Sequence, residues 1–429
     1  MSRREPAAGG EARHEATLLQ VIERHRIIVC AGSGGVGKTT TAAAIALAGA
    51  LAGRHAIVLT IDPARRLADS LGVGPLGNTP RDIPAEVFRE LGLAVRGSLT
   101  AMMLDQKGSW DELVERHAPS PEVRDRILAN RFYRQLSQSF AGSQEYMAVE
   151  QLGALDSSGR YDLIVVDTPP SQHALDFLEA PEHLLDFLDR KIVKWFVKPY
   201  VSAGWSAFRT MNRSLGFLLH KIEDATGVSV LAEVSDFFVA MSGLFDGFEA
   251  RVARVTELLR DRKTAFVLVA GPDEQVLDQV EYLLAQMAAR RMPLKGVVMN
   301  RVHRSFLSRE RVELEDVPAL AALVEQITRE PGGSSAPAAL ARRGPGERTL
   351  PRRAPEAELA APDRHKLATR LARNFLDQEK RARGDALRIE MFRQGLPRGL
   401  PLVSVPDLAA DIHDLRGLVA LKPYLAGAA

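Results

Sequence analysis

A glycine-rich segment, GSGGVGKT at 32–39, fits the phosphate-binding pattern GxxxxGK[ST]. Glycines allow successive backbone N–H groups to face phosphate oxygens, and the N-terminus of a following helix adds a favourable dipole. The Lys38 ammonium can reach the β- and γ-phosphates of a nucleotide, and the Thr39 hydroxyl can ligate magnesium. The run therefore predicts a nucleotide site. Its predicted binding residues are Gly32, Gly34, Gly35, Val36, Gly37, Lys38, Thr39 and Thr40.

Two carboxylates at predicted strand ends are placed to complete that site. Asp167 ends the apolar run DLIVVD and precedes the turn 168–170, which is where a magnesium-holding acid belongs in a phosphate-loop protein. Asp62 ends AIVLTID, where its carboxylate either orients the attacking water or caps the helix predicted at 63–71. We predict Lys38 and Asp62 as catalytic residues, and Thr39 and Asp167 as magnesium ligands.

Short, uninterrupted apolar runs supply the strands that position these residues. The runs do not alternate with polar residues, which is typical of strands covered on both faces, as in a parallel sheet. Helical patterns separate several of them, which predicts an α/β fold of the P-loop NTPase type with a doubly wound, mostly parallel sheet. The predicted strands are 26–31, 56–61, 162–167, 265–270, 294–299 and 401–405.

Two long intervals, 102–158 and 172–262, lack strand patterns and predict a helical subdomain formed by insertions. In the second, apolar residues from Leu231 to Leu259 recur at spacings of three and four, as on one long helix. An aromatic cluster precedes this seam. Its apolar surface is either packed within the subdomain or partly exposed for a hydrophobic client or membrane-protein partner, and both interpretations stay open. The cluster contains Trp195, Phe196, Tyr200, Trp205 and Phe208.

The predicted organisation alternates core segments with these insertions. The segments are a disordered arm at 1–15, core at 16–101, a helical insertion at 102–158, core at 159–171, the helical subdomain at 172–262, core at 263–330, a flexible linker at 331–363, and a C-terminal helix with the last core strand at 364–429.

Residues 331–400 have a local excess of positive charge, with 15 Lys and Arg against 8 Asp and Glu. This excess is typical of a solvated surface or, alternatively, of a surface that binds an acidic partner or anionic lipid.

Composition excludes several other classes. The chain of 429 residues has 56 Lys and Arg against 54 Asp and Glu, so its net charge of +2 gives no strong nucleic-acid signal. One cysteine, Cys30, excludes a disulfide framework, a thiolate zinc site and a multi-cysteine iron–sulfur cluster. We find no signal peptide or transmembrane segment, and a reducing, cytoplasmic setting is expected.

Five segments together resemble the arsenical-pump ATPase family, which includes the eukaryotic ATPase that targets tail-anchored membrane proteins and belongs to the deviant-Walker class of P-loop ATPases. They are GSGGVGKTT at 32–40, LTIDPARRLADSLG at 59–72, VVDTPPSQHALDFLEAP at 165–181, GVVMNRV at 296–302 and LVSVPDLAADIHDL at 402–415.

The resemblance implies ATP and Mg²⁺ as ligands and a role for each matching residue. Asp62 would orient the attacking water, and Asp167 with the turn after it would form a second switch that contains His173. Asn300, at a strand end, would read the adenine base. A guanine-specifying NKxD motif is absent from the sequence, which supports ATP over GTP.

The sequence departs from the family pattern in ways that limit what carries over. Ser33 stands where the class usually has a lysine that contacts nucleotide across a dimer interface. Hydrolysis is then slow, or another basic residue substitutes, or the chain forms a heterodimer with a paralogous ATPase that retains the lysine; we favour the last, with a homodimer as the alternative. Family cysteines that bind arsenite, and others that hold zinc between subunits, are also missing.

The leading functional hypothesis is a Mg-dependent ATPase whose dimer rearranges to handle a protein or membrane-associated client. One alternative is a partition or placement ATPase that patterns itself on membrane or DNA, although the C-terminus LRGLVALKPYLAGAA is short and weakly charged for that role. The other is a metabolic P-loop enzyme, which would need a dedicated substrate pocket.

Overall fold

A computed structural model describes residues 17–62, 66–139, 143–169, 237, 248–307, 317–329, 361–408 and 411–427. Several predictions lie outside these residues: the arm at 1–15, His173, the aromatic cluster and most of the helical subdomain. Contacts divide the chain into two units, Met1–Arg301 with Gly395–Ala429, and Val302–Gln394. Each is described by itself.

The first unit is built on an eight-stranded sheet in the order β3-β4-β2-β5-β1-β6-β7-β8. Strands β1, β2, β4, β5, β6 and β7 pair in parallel, and β3 is antiparallel to β4. The mostly parallel α/β fold is therefore confirmed. The strands are β1 (Ile27–Ala31), β2 (His55–Thr60), β3 (Arg81–Asp82), β4 (Ser98–Met103), β5 (Leu163–Asp167), β6 (Thr264–Ala270), β7 (Leu294–Val302) and β8 (Leu402–Pro406).

All six predicted strands are present, and the prediction missed β3 and β4. The predicted division between the core and the first insertion, at 101/102, cuts through β4. The reason is composition: SLTAMM has only one β-branched residue, Thr100, so its strand character comes from burial and from pairing with β2 rather than from intrinsic propensity.

Helices follow most strands. They are α1 (Leu18–Arg24), α2 (Lys38–Leu51), α3 (Arg66–Leu71), α4 (Ala85–Glu90), α5 (Gln106–His117), α6 (Pro121–Ala129), α7 (Arg131–Ser139), α8 (Ser143–Ser157), α9 (Phe248–Arg260), α10 (Glu274–Ala289), α11 (Val317–Arg329), α12 (Ala361–Gly395) and α13 (Leu415–Leu425). Helices α5 to α8 occupy most of the interval predicted as the first helical insertion. On α9, Val255 and Leu259 of the predicted seam are buried.

The core beside the phosphate loop is centred on the alanine-rich helix α2, in which every residue of 41–50 is buried. Small side chains let the helix approach the sheet closely: a Cβ atom on Gly49 would lie 2.4 Å from Leu163 Cδ2 on β5. Helices α1, α3 and α13 contact α2 as well. All five residues of β1 are buried, so both faces of the sheet are covered at its centre.

The second unit contains α11 and α12, which pack through Ala321, Ala368 and Ala372. Helix α12 begins at Ala361 rather than at 364, because Pro362 is well suited to the first turn of a helix. Helix α11 also groups with this unit, whereas the sequence placed its residues in the core segment 263–330. Across the described helices of the whole chain, none is long and apolar enough to cross a membrane.

Candidate functional site

The glycine-rich loop joins β1 to α2, and two of its glycines are required by close contacts. A Cβ atom on Gly32 would lie 2.0 Å from the carbonyl oxygen of Val269 in β6, and one on Gly37 would lie 2.3 Å from Nδ2 of Asn300. Gly37 also has a left-handed φ of 93°. The Asn300 amide donates a hydrogen bond to the Val36 carbonyl at 2.8 Å. Strands β6 and β7 therefore hold the loop in place.

Helix α2 begins directly after this loop, at Lys38. None of the described side chains caps its N-terminus, because the N-cap position is Gly37. The N–H groups of the first turn are thus available to a ligand, and the helix dipole favours an anion there. The arrangement suits phosphate oxygens.

Lys38 lies with its side chain over the loop. The residue is only 6% exposed, and its Nζ donates a hydrogen bond to the Ser33 carbonyl oxygen at 2.7 Å. Burial lowers the pKa of Lys38, while the negative charges of Asp167 and Asp62 oppose that shift. A phosphate beside this ammonium would supply the countercharge that the buried surroundings lack.

Asp167 ends β5 next to β1 and is completely buried. Its Oδ2 accepts a hydrogen bond from the Thr60 hydroxyl at 2.8 Å, but its Oδ1 has no partner among the described residues. Burial raises the pKa of Asp167 to about 6, and the nearby Thr39 and Thr60 hydroxyls and the charge of Lys38 act in the opposite direction. A buried carboxylate oxygen without a donor is costly unless a ligand such as a cation completes it.

A cavity of about 440 Å³ brings together most of the predicted site, although the buried Asp167 is not one of the residues that line it. It includes Asp62, the end of the loop and Thr168, the residue directly after Asp167. The predicted residues that line the cavity are Gly35, Gly37, Lys38, Thr39, Thr40 and Asp62.

The other predicted binding residues lie around this cavity rather than in its wall. Gly34 is exposed and Val36 is buried beneath the loop. Gly32 contributes, with Ser33, to a second cavity of about 350 Å³ against α10. Asn300 braces the loop through Val36, so that its predicted adenine-reading role stays a prediction.

Sequence reasoning missed several charged residues that line this cavity. Arg66 and Asp69 come from α3, Arg301 from β7, and His413 from the segment before α13. Arg66 was visible within the segment LTIDPARRLADSLG, and Arg301 directly follows Asn300. Only the fold shows that their side chains reach the same cavity.

The residues present fit magnesium and a nucleotide. Within the described parts of the chain no group of three or more His, Cys, Asp or Glu side chains could hold a metal unaided. Thr39 and the unpartnered oxygen of Asp167 would instead supply part of a coordination shell, with phosphate and water oxygens for the remainder, as is usual for Mg²⁺ with nucleotides. Cys30 takes no part, because burial raises the pKa of its thiol.

Comparisons with known proteins agree with this geometry. The model of the anion-transporting ATPase family matches residues 25–306, which is more than half of the chain. The chain is 26% identical to "ATPase GET3" of Malassezia globosa, over 67% of this chain and 76% of that protein. It is 25% identical to "ATPase ASNA1 homolog 1" of Paramecium tetraurelia, over 67% and 79%. Similarity to "Protein Rv2184c" of Mycobacterium tuberculosis is 28%, over 70% and 65%.

The family match covers the phosphate loop, both strand-end acids and the strand that carries Asn300. The predicted resemblance to this family is thereby confirmed, and four of the five segments lie within the matched residues, while 402–415 lies beyond them. The chain belongs to the anion-transporting ATPase family and is an ATPase of the P-loop type.

Proposed function

We propose that the cavity lined by Lys38, Asp62 and Thr168 binds Mg-ATP and that the protein hydrolyses it slowly. The observation that carries the proposal is one of placement. A helix N-terminus without a cap and a buried ammonium line one cavity, and Asp167, whose buried Oδ1 lacks a partner among the described residues, directly precedes the wall residue Thr168. Each of the three lacks what Mg-ATP would provide.

Each group then has one task. Backbone N–H groups of residues 32–39 bind phosphate oxygens, and Lys38 neutralises the β- and γ-phosphates. Thr39 and Asp167 hold magnesium, which polarises the phosphoryl group when bound. Asp62 lines the cavity at the end of β2, where its carboxylate accepts a hydrogen bond from the attacking water and orients it.

In the reaction, the water oxygen forms a bond to the γ-phosphorus. The bond between that phosphorus and the β–γ bridging oxygen breaks, and the bridging oxygen keeps the electron pair as ADP leaves. Negative charge spreads over the γ-phosphoryl oxygens, where Lys38 and the N–H groups stabilise it. The water protons pass to phosphate and solvent.

We further propose that hydrolysis is coupled to rearrangement of a dimer and to a protein or membrane-associated client held by residues 172–262. The resemblance to the tail-anchored-protein-targeting ATPase supports this coupling. A described contact supports it as well: the Gln144 side chain on α8 donates a hydrogen bond to the carbonyl oxygen of Ile61, immediately before Asp62. The first helical insertion, rather than residues 172–262 themselves, is thus tied to the strand end beside Asp62.

The test separates binding from turnover. Lys38→Ala should raise the Kd for ATP by about 10² or more, because the principal phosphate cation is removed. Asp62→Asn should keep the Kd for ATP within a few-fold but lower single-turnover hydrolysis by about 10², because the amide orients water poorly. Isothermal titration and phosphate release measure the two quantities.

Asp125→Asn is the matched control, since Asp125 is an exposed acid on α6 that pairs with Arg124. It should leave both quantities unchanged. Hydrolysis at the wild-type rate by Asp62→Asn would remove that residue from its proposed role, and tight ATP binding by Lys38→Ala would place the nucleotide elsewhere.

A further inference from the structure

The phosphate loop itself provides little positive charge for ATP hydrolysis. Lys38 is the only basic residue in the run 32–39, because position 33 is a serine. In P-loop enzymes an arginine that stabilises the charge developing on the γ-phosphoryl oxygens is worth about 10³ to 10⁵ in rate, and it comes either from the same subunit or from a partner. Cations elsewhere in this cavity therefore decide whether the subunit depends on a partner.

Two arginines line the cavity, one from α3 and one from β7. Arg66 is the first residue of α3, four positions after Asp62, and its side chain is exposed to the cavity and to solvent. Arg301 lies near the end of β7 with a left-handed φ of 59°, directly after Asn300. A left-handed conformation is uncommon for a residue other than glycine.

Arg66 lines the cavity together with Asp62 and with Lys38, the residue that reaches the terminal phosphate in P-loop enzymes. The positive charge of Arg66 also contributes to lowering the pKa of Lys38, because the two cations repel each other. Asp69, one turn further along α3, lines the same cavity and reduces the net positive charge there.

We propose that Arg66 is an arginine finger supplied in cis, a catalytic residue whose guanidinium binds the γ-phosphoryl oxygens of ATP. The proposal rests on the proposed ATP hydrolysis in this cavity. It replaces the dependence on a paralogous partner that the serine at position 33 suggested. A planar guanidinium can bind two phosphoryl oxygens at once, which a lysine ammonium on a flexible stem does less well.

Arg301 serves as the comparison within the same cavity. It follows Asn300, whose amide lies against Gly37 and donates to Val36 at the start of α2. In this proposal its charge acts on the nucleotide as a whole rather than on the γ-phosphate alone. Loss of Arg301 should weaken ATP and ADP binding by similar factors, whereas loss of Arg66 should weaken ATP binding selectively.

The decisive measurement uses ADP with aluminium fluoride and magnesium, which together imitate the phosphoryl group in transfer. Wild-type protein should retain fluorescent ADP after gel filtration in this mixture. Arg66→Gln should lose the retained complex and raise the Kd for ATP several-fold, with the Kd for ADP within two-fold of wild type. Its single-turnover hydrolysis should fall by about 10³. Arg66→Lys should recover part of the rate, because the charge is kept and the fork is lost.

Arg89→Gln is the control, since Arg89 is an exposed arginine on α4 paired with Glu86. It should behave as wild type, and circular dichroism should show both glutamine variants folded. Wild-type turnover per chain should stay constant over a hundred-fold range of protein concentration.

Three outcomes would overturn the inference. In the first, Arg66→Gln retains ADP with aluminium fluoride as wild type does. In the second, Arg66→Gln weakens ADP and ATP binding equally. In the third, wild-type turnover per chain rises with protein concentration and Arg66→Gln leaves the hydrolysis rate unchanged. Each leaves the proposed function standing if Lys38→Ala abolishes hydrolysis. Absence of hydrolysis by the wild-type protein would remove the proposed function itself.

Discussion

Among the residues that the structure describes, carboxylates are buried in two regions, and their surroundings differ sharply. Asp167, which directly precedes the cavity residue Thr168, is wholly buried with one oxygen that lacks a hydrogen-bond partner among the described residues. Glu379, on α12 in the second unit, is equally buried, but both of its oxygens are satisfied. They accept hydrogen bonds from the Ser305 hydroxyl at 2.8 Å and from the Phe306 N–H at 2.5 Å.

A neighbouring acid on α12 follows the same pattern as Glu379. Asp385 accepts from the backbone N–H of His303 at 2.9 Å and pairs with the His303 ring and with Arg388, each at 2.7 Å. These acids join the chain after β7 to α12 and have a structural role. Burial alone therefore does not mark a functional carboxylate; burial with an oxygen left for a ligand does.

The largest expected effect in this comparison is on catalysis. Asp167→Asn keeps the shape of the side chain but weakens magnesium binding, so magnesium-dependent hydrolysis should fall by about 10³ or more. The apparent Kd for magnesium, measured in the presence of ATP, should rise in parallel. Glu379→Gln should change neither quantity. Equal losses for the two variants would remove the distinction between the regions.

The next largest expected effect is on stability, and here Glu379 rather than Asp167 is the sensitive residue. Glu379→Ala removes the acceptor for two buried donors, which should lower the free energy of unfolding by about 2–4 kcal/mol. Urea denaturation measures the change. Glu390→Ala is the control, because Glu390 is an exposed acid on the same helix, and it should stay within about 0.5 kcal/mol of wild type. A similarly small change for Glu379→Ala would show that its hydrogen bonds contribute little.

The smallest effect is a pH dependence specific to Asp167. Its pKa is raised from 3.8 to about 6, so the folded protein binds this proton more tightly than the unfolded chain does. Without nucleotide and magnesium, the contribution of Asp167 to the free energy of unfolding should therefore fall as pH rises from about 4 to 6 and stay low above that. The total change is at most roughly 3 kcal/mol.

Asp167→Asn lacks that titration. The difference in stability between the variant and wild type should therefore grow in the variant's favour over the same pH range, as urea denaturation at several pH values would show. Parallel profiles from pH 4.5 to 8 would contradict the raised pKa. Saturating Mg-ATP should reduce the difference, because the ion then compensates the carboxylate.

The strands and the loop that local residue patterns specify could be predicted from the sequence. The β-branched runs at 26–31 and 162–167 predicted the central strands, and the glycine spacing predicted the loop between β1 and α2. Strand β4 was missed because Ser98–Met103 becomes a strand through its pairing with β2. Pairing with a distant part of the chain, rather than local sequence, therefore makes β4 a strand.

The site shows the same limit. Residues 32–40, Asp62 and Asp167 carry recognisable motifs, but Arg66 and Arg301 reach the cavity from α3 and β7, which only the assembled sheet brings close. The bracing hydrogen bond from Asn300 to Val36 joins residues 264 positions apart. Such contacts depend on strand order, which the sequence alone did not determine.

Helix α2 has a consequence for how the nucleotide state can be sensed. Its residues 41–50 have no solvent face, and they pack against strands and against α1, α3 and α13. A helix enclosed in this way cannot tilt without opening the core around it, since protein interiors are close-packed. Its backbone amides should exchange with deuterium as slowly with ATP as with ADP, because exchange there requires global unfolding. Differences between the two states should instead appear in the segments that follow Asp62 and Asp167.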